Sequence, residues 1–521
     1  MPDSFVPSRA IGILLILIIA SAWLANIGHR VLQHPDEGRY AEIAREMSAS
    51  GDWVTPRLND LKYFEKPPLQ YWLMAATFDV FGASAATARL WPVLAGLAAV
   101  VAIAYAGHAL GGAPLAWSAG IALAGMLWQV ALSQILTLDA MLSALLAIGF
   151  AGFVVAQRAE STAVQRRHAM WITWAAMAGA TLTKGLIGLV LPGAALVLYM
   201  LIARDFALWR RLHLGSGLLI YLLLTAPWFI AVSLANPEFA QFFFVHEHFQ
   251  RFLTTTHRRT GSIAYFVPLL GVGALPWITL LLFNVHRAWR EGVPNALGFS
   301  WQRFALVWAA FVFVFFSASG SKLPSYILPM FPPLALVAGW LLLRLPAARL
   351  RVAVLPLMVI GIGLALAALT AYPQLSASFV DDRQPTPALL QFGAWVKTAL
   401  AIAAVGGIAA YAAFRRTTLR ARFAGAVALS LSTLFATQLV VVGLDSFRHQ
   451  RSAYDILQEA ASAFGDRNAL AAPDIPFYQV RMYDQTVPFY LRRSTTLVDF
   501  ADELALGIAA EPHKAIDTVE H

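Results

Sequence analysis

Cysteine is absent from the 521 residues, which removes disulfides, thiolate metal sites and a cysteine nucleophile at once and leaves the redox compartment open. Charge is scarce as well: 13% of residues are charged and 59% hydrophobic, whereas a soluble domain carries about 45–50% apolar residues. A soluble fold is excluded, and a polytopic membrane protein is what the composition describes. No Gly-rich nucleotide-binding loop occurs. Internal repeats and low-complexity segments are also missing. The net charge of +9 suits an anionic lipid or reflects topology alone, and no nucleic-acid partner is expected.

What is present is a series of thirteen apolar stretches, from 10–28 to 423–442 and including 84–107, 114–132 and 262–284, each near the ~20 residues that cross a ~30 Å hydrocarbon core. Every second loop is basic, among them Arg158, Arg166 and Arg167, then Arg204, Arg210 and Arg211, and later Arg415, Arg416, Arg420 and Arg422. The positive-inside rule makes those loops cytoplasmic, with the N-terminus inside and the C-terminus outside. The first stretch has no small-residue cleavage site before His34 and reads as a retained helix. Pro67 to Phe81 is apolar but short, and its Pro67-Pro68 start suits a helix lying along the interface. Ala41 to Ser48 reads as an amphipathic helix with Ile43, Ala44 and Met47 on one side. After residue 443 the composition changes, with twelve Asp or Glu against seven Lys or Arg. The expectation is an all-α polytopic membrane protein of about 13 transmembrane helices over 1–442, including structured outer loops 29–83 and 235–261. A small mixed α/β domain over 443–521 would follow, the whole acting as a monomer among membrane lipids.

On this topology the unusual polar residues gather on one side. Asp36, Glu37, Glu65, Lys66, Asp139, Lys184, His246, Glu247, His248, Arg251, Arg258, Arg259 and Lys322 all fall on outer segments or outer ends of spans. Ionisable groups near hydrocarbon are costly, so their convergence points to one shared site, against the plainer view that outer loops are simply wet. Asp36 could serve as an N-cap of the helix behind it, and Asp139 begins a hydrophobic helix with no neighbouring charge. Lys66 sits in Tyr63-Phe64-Glu65-Lys66-Pro67-Pro68, where the diproline restricts the backbone; a snorkelling interfacial lysine is the alternative. Lys184 in Thr183-Lys184-Gly185 and Lys322 in Ser319-Gly320-Ser321-Lys322-Leu323-Pro324-Ser325-Tyr326 make good phosphate contacts. His246 and His248, in an extended segment, would face one way, and Glu65 could complete a zinc or other divalent-metal site; interfacial histidines bound to lipid or water are the alternative. Arg251, His257, Arg258 and Arg259 form a basic cluster suited to an anionic substrate.

Taken together, the first-loop Asp-Glu, the Phe-Glu-Lys-Pro-Pro run, the lone Asp139, Thr-Lys-Gly and Ser-Gly-Ser-Lys-Leu-Pro-Ser-Tyr resemble the bacterial aminoarabinose transferases. These belong with the protein O-mannosyltransferases among the GT-C glycosyltransferases. The resemblance covers the membrane region and implies a GT-C fold with its site on the periplasmic side of the inner membrane. It implies undecaprenyl phosphate carrying 4-amino-4-deoxy-L-arabinose as donor and lipid A phosphate as acceptor, a modification that confers resistance to polymyxin-like peptides. Lys66, Arg251 and the Tyr326 hydroxyl are the expected phosphate ligands, with Tyr63 close by and Lys184 or Lys322 assisting. A phosphate monoester, with a second pKa of about 6, is largely dianionic near neutral pH, so Asp36 is assigned to orienting the acceptor or taking a residual proton. Asp139 is assigned to stabilising positive charge on the sugar amine or ring. Two rivals remain at this level: mannosyl transfer to protein hydroxyls, and a lipid flippase, which would place ionisable groups through the midplane.

Overall fold

The protein is described by a computed structural model covering residues 5–244, 261–465, 470, 472 and 475–514. Among the described residues, eight helices are long and apolar enough to cross a membrane, nine if one bent pair is a single span. The chain is thus a multi-pass membrane protein. Its most enclosed segments are Leu138–Ala156 and Pro324–Arg344, while Ala347–Ala377 and Thr386–Phe414 turn most of their surface outward. A helix apolar all round belongs in a core or in lipid, and these segments divide between the two.

Two breaks in the helices are written in glycine and proline. The 40-residue helix Ala85–Ala124 leaves helical geometry at Gly111 and Gly112, the latter at φ +72°, where a side chain would be strained. The chain folds back there, because a Cβ on Gly120 would lie 3.2 Å from that of Ala104; sixteen residues of straight helix would set the two ~24 Å apart. The gap between the expected stretches 84–107 and 114–132 is this turn. The expected single span 262–284 is instead two helices, Phe266–Gly273 and Ile278–Glu291, bent by 98°. Pro276 lies in the break and has no N–H to continue a helix.

One face of the bundle carries a structured cap. Helix α1 (Arg9–Leu24) leads into α2 (Asp36–Ser50), which ends at Gly51 in the left-handed region, a common helix stop. A two-residue hairpin of β1 (Arg57–Leu58) and β2 (Leu61–Lys62) follows, then α3 (Leu69–Phe81). At 13 residues α3 is about 20 Å long, short of a membrane crossing, and its Tyr71, Met74, Ala75 and Phe78 pack with Ile43, Ala44 and Met47 of α2. The tail from 443 adds short helices and two parallel strands, β3 (Tyr478–Val480) and β4 (Thr496–Val498). It shares the core of the first loop: Tyr483, Phe489, Leu497 and Leu504 enter the same hydrophobic cluster. The Asn59 amide donates to the Thr495 carbonyl and accepts from its N–H, both at 2.8 Å, and Arg57 pairs with Glu511 at 2.8 Å. A side chain at Gly38 would meet the Gln485–Thr486 backbone at 2.7 Å, so only glycine permits this seating of the tail on α2.

Candidate active site

The capped face holds two groups of polar side chains. The first lies at the heads of two spans. Asp139 stands in the first turn of Leu138–Ala156, where the helix dipole favours a negative charge, and Lys184 closes Ala163–Lys184, where it favours a positive one. Asp139 Oδ1 accepts from Lys184 Nζ, and Oδ2 accepts from Ser325 Oγ at 2.9 Å. Both side chains are largely buried, at 8% and 16% exposure. Lys184 Nζ also sits 4.9 Å above the Tyr326 ring, a cation–π distance, and Tyr326 in turn packs on Phe316. Tyr326 belongs to the turn Pro324–Met330, whose Pro324 carbonyl accepts from the Trp128 indole.

The second group surrounds Asp36. Pro35 takes the N-cap position of α2, with no side-chain cap bond. Asp36 is therefore not the cap its type suggested, and its Oδ1 accepts from Arg39 Nη1 at 2.9 Å. Arg39 Nη2 reaches Glu503 at 2.7 Å, and the Tyr63 hydroxyl lies 3.5 Å from the same Glu503 oxygen. Burial pushes the Tyr63 phenol well above its ordinary pKa, so it stays a donor. Lys66 Nζ donates to the Glu65 carbonyl at 2.7 Å, with the Glu65 carboxylate 4.0 Å away.

Short contacts join both groups to the 135–139 segment. The Leu136 N–H donates to Glu37 Oε1 at 3.1 Å, and Gln70 donates to the Thr137 carbonyl at 3.3 Å. Beside Asp36 opens a cavity of about 630 Å³, lined by His34, Asp36 and Arg451 and by apolar residues such as Leu364, Phe392 and Leu400 of Ala347–Ala377 and Thr386–Phe414.

Two expected ligands have other partners. Glu37, 3% exposed, is gripped by Arg89 through Nε at 2.8 Å and Nη2 at 2.7 Å, with Arg30 at 3.4 Å and the Gln33 N–H at 3.0 Å. Its carboxylate is occupied as a clamp. Lys322, 6% exposed, donates to the Ser317 and Ser319 carbonyls, each at 2.8 Å. It closes the C-terminal end of Trp301–Ala318, where carbonyls lack intrahelical partners. His246, His248, Arg251, His257, Arg258 and Arg259 lie outside the described residues, and with them the proposed metal site. Among the described residues, no three His, Asp or Glu gather as metal ligands would. Sequence reasoning missed Arg89, Arg39, Ser325 and Glu503. Arg89 carried a signal, as a lone charge inside an apolar run that must find a buried partner.

With this apolar bundle, and carboxylates and cations gathered under a structured cap, the comparisons put the chain in the class of membrane-embedded GT-C glycosyltransferases. Two structures of archaeal oligosaccharyltransferase from Archaeoglobus fulgidus share the fold at TM-scores of 0.51 and 0.54, with 13% and 11% identity. Family profiles match residues 10–249 to dolichyl-phosphate-mannose-protein mannosyltransferase and 466–521 to the aminoarabinose transferase C-terminal domain. The crystal structure of ArnT from Cupriavidus metallidurans bound to undecaprenyl phosphate has a TM-score of 0.88 and 35% identity, covering 98% of this chain and 90% of that one. The chain belongs to the aminoarabinose transferase family. Among curated relatives, the undecaprenyl phosphate-alpha-4-amino-4-deoxy-L-arabinose arabinosyl transferase of Erwinia tasmaniensis is 33% identical over 62% of this chain, and the match spans 58% of that relative's length. The same-named protein of Edwardsiella ictaluri is 28% identical over 91% of this chain and 85% of its own length.

Proposed function

We propose that the protein transfers 4-amino-4-deoxy-L-arabinose from undecaprenyl phosphate to lipid A phosphate, at the periplasmic face of the inner membrane. The N-terminus and the Arg-rich loops would then be cytoplasmic and the tail periplasmic. The observation that carries this reading is the 630 Å³ cavity, mostly apolar, that both Asp36 and Ile135 of the segment leading to Asp139 line. A lipid acceptor needs such a cavity for its chains and a polar end for its headgroup.

In the reaction, an acceptor phosphate oxygen attacks the anomeric carbon while the bond from that carbon to the donor phosphate breaks, releasing undecaprenyl phosphate with its electron pair. The charge that grows on this leaving group calls for fixed cations. Lys184 and Lys66 are assigned to answer it, with the Tyr326 hydroxyl as donor. Asp139 is assigned to positive charge on the sugar amine or ring, and Asp36 to the acceptor. Glu37 and Lys322, held by their own partners, support the site from behind.

The test is purified protein in liposomes, given the aminoarabinose lipid with lipid A in one arm and polyprenyl-phosphate mannose with a protein acceptor in the other, read by mass spectrometry. Addition of aminoarabinose to lipid A is expected; unchanged lipid A alongside a mannosylated protein acceptor would favour mannosyl transfer. Lys184→Met is expected to weaken binding of undecaprenyl phosphate about tenfold, the worth of one hydrogen bond to a charged group. Unchanged affinity would remove Lys184 from donor binding.

A further inference from the structure

We propose that Glu503, a carboxylate of the tail, is a positioning residue for Asp36 and acts through Arg39. The inference rests on the reading that Asp36 serves the acceptor.

Arg39 lies between two carboxylates. Its Nη1 donates to Asp36 Oδ1 at 2.9 Å and its Nη2 pairs with Glu503 Oε2 at 2.7 Å. The Arg39 and Glu503 side chains are 10% and 12% exposed, while Asp36 is open at 37%. Glu503 is itself fixed, since its Oε1 accepts from the Gln485 amide and the Tyr63 hydroxyl lies 3.5 Å from Oε2. Gln485 belongs to the tail backbone that rests on Gly38, one residue from Arg39. The chain thus brings a tail carboxylate against the first turns of α2 and holds it there.

The consequence lies in how a guanidinium meets a carboxylate. Left with Asp36 alone, Arg39 would favour the forked contact in which two N–H groups grip both oxygens. Glu503 takes the second nitrogen, so Asp36 is held by Oδ1 only. Its Oδ2 accepts no hydrogen bond from the described residues, and Asp36 lines the cavity. Glu503 therefore fixes the direction of Asp36 and keeps one of its oxygens available to an acceptor headgroup. It has this effect without touching substrate.

Glu503→Gln preserves shape and one acceptor while removing the charge that competes for Arg39; Glu503→Leu removes both. Each is measured in the full-length protein by transfer kinetics, alone and combined with Asp36→Asn. At pH 5.5 the expected result is a fall of about twofold in kcat for Glu503→Gln and up to about fourfold for Glu503→Leu, with KM for the lipid-linked donor unchanged. With Asp36 already replaced, neither change should slow the enzyme further, because residues acting as a unit are not additive. Losses that multiply, a KM effect on the donor, or a folded Glu503→Leu with wild-type kcat would overturn the proposal. Should the Glu503 variants fail to fold, Arg39→Lys gives the same reading: a single ammonium cannot divide itself between the carboxylates as the fork does, and its loss must likewise vanish in the Asp36→Asn background. Wild-type turnover in the same assay keeps the two readings apart: its absence overturns the proposed function and the coupling that rests on it, whereas turnover with losses that multiply overturns the coupling alone.

Discussion

Arg89→Met is expected to cost about 3–5 kcal/mol of stability, the usual penalty for leaving half of a buried ion pair behind. Arg89 is 1% exposed and Glu37 3%, and the contact is two-pronged. Arg89 also donates to the backbone carbonyls of Arg30 at 2.6 Å and Val31 at 2.8 Å, while Glu37 accepts from the Leu136 N–H. One pair thus ties the linker after α1, the start of α2, the helix from Ala85 and the segment leading to Asp139. Burial pushes the Glu37 carboxyl up, but Arg89 and Arg30 outweigh it and hold the group at about 2 against an ordinary 4.5. Because the folded value is the lower one, its contribution is complete above pH 4.5 and is lost as the pH falls toward 2. Thermal unfolding in detergent at neutral pH is the measurement. The triple variant Arg89→Met, Glu37→Met and Arg30→Met is expected to recover part of the loss, since removing all three buried charges leaves none unpaired. A single variant that melts with the wild type would show the pair to be dispensable.

The parts of the fold legible in the sequence are those set by long-range composition. Apolar runs of span length, the Gly111–Gly112 interruption and the short diproline helix Leu69–Phe81 are each fixed by local residues. The bend at Pro276 was less legible, because hydropathy integrates over a window and does not register one missing N–H. Asp139, Lys184 and Tyr326 could be grouped because each is a polar residue at the end of an apolar run, where its type is costly without a partner. Glu37 and Lys322 have the same appearance, but their partners are Arg89 and a helix's own carbonyls. A sequence shows that a buried charge needs a counterpart without showing which one it takes. Glu503 carried no signal at all: a glutamate in an acidic, moderately polar tail acquires meaning only when the Gly38 contact seats that tail on α2.

Asp36→Asn is expected to reduce transfer about fourfold at pH 5.5, where about a quarter of a phosphate with a second pKa of about 6 is already dianionic, and much less at pH 8. The difference follows from the acceptor. A phosphate monoester with a second pKa of about 6 still carries a proton at pH 5.5, and that proton is what the open oxygen of Asp36 can receive while holding the headgroup in line with the sugar. At pH 8 the phosphate is dianionic, attacks unaided, and gains little from a carboxylate. Asparagine keeps the size and one acceptor atom but cannot take the proton, and Arg39, still paired with Glu503 at 2.7 Å, should keep the local structure intact. A protein hydroxyl acceptor would behave differently, because it must lose its proton during attack at either pH, and the defect would then be large and pH-independent. The pH profile of this one variant therefore separates a phosphate acceptor from a hydroxyl acceptor. Wild-type rates at pH 5.5 would remove Asp36 from the mechanism altogether.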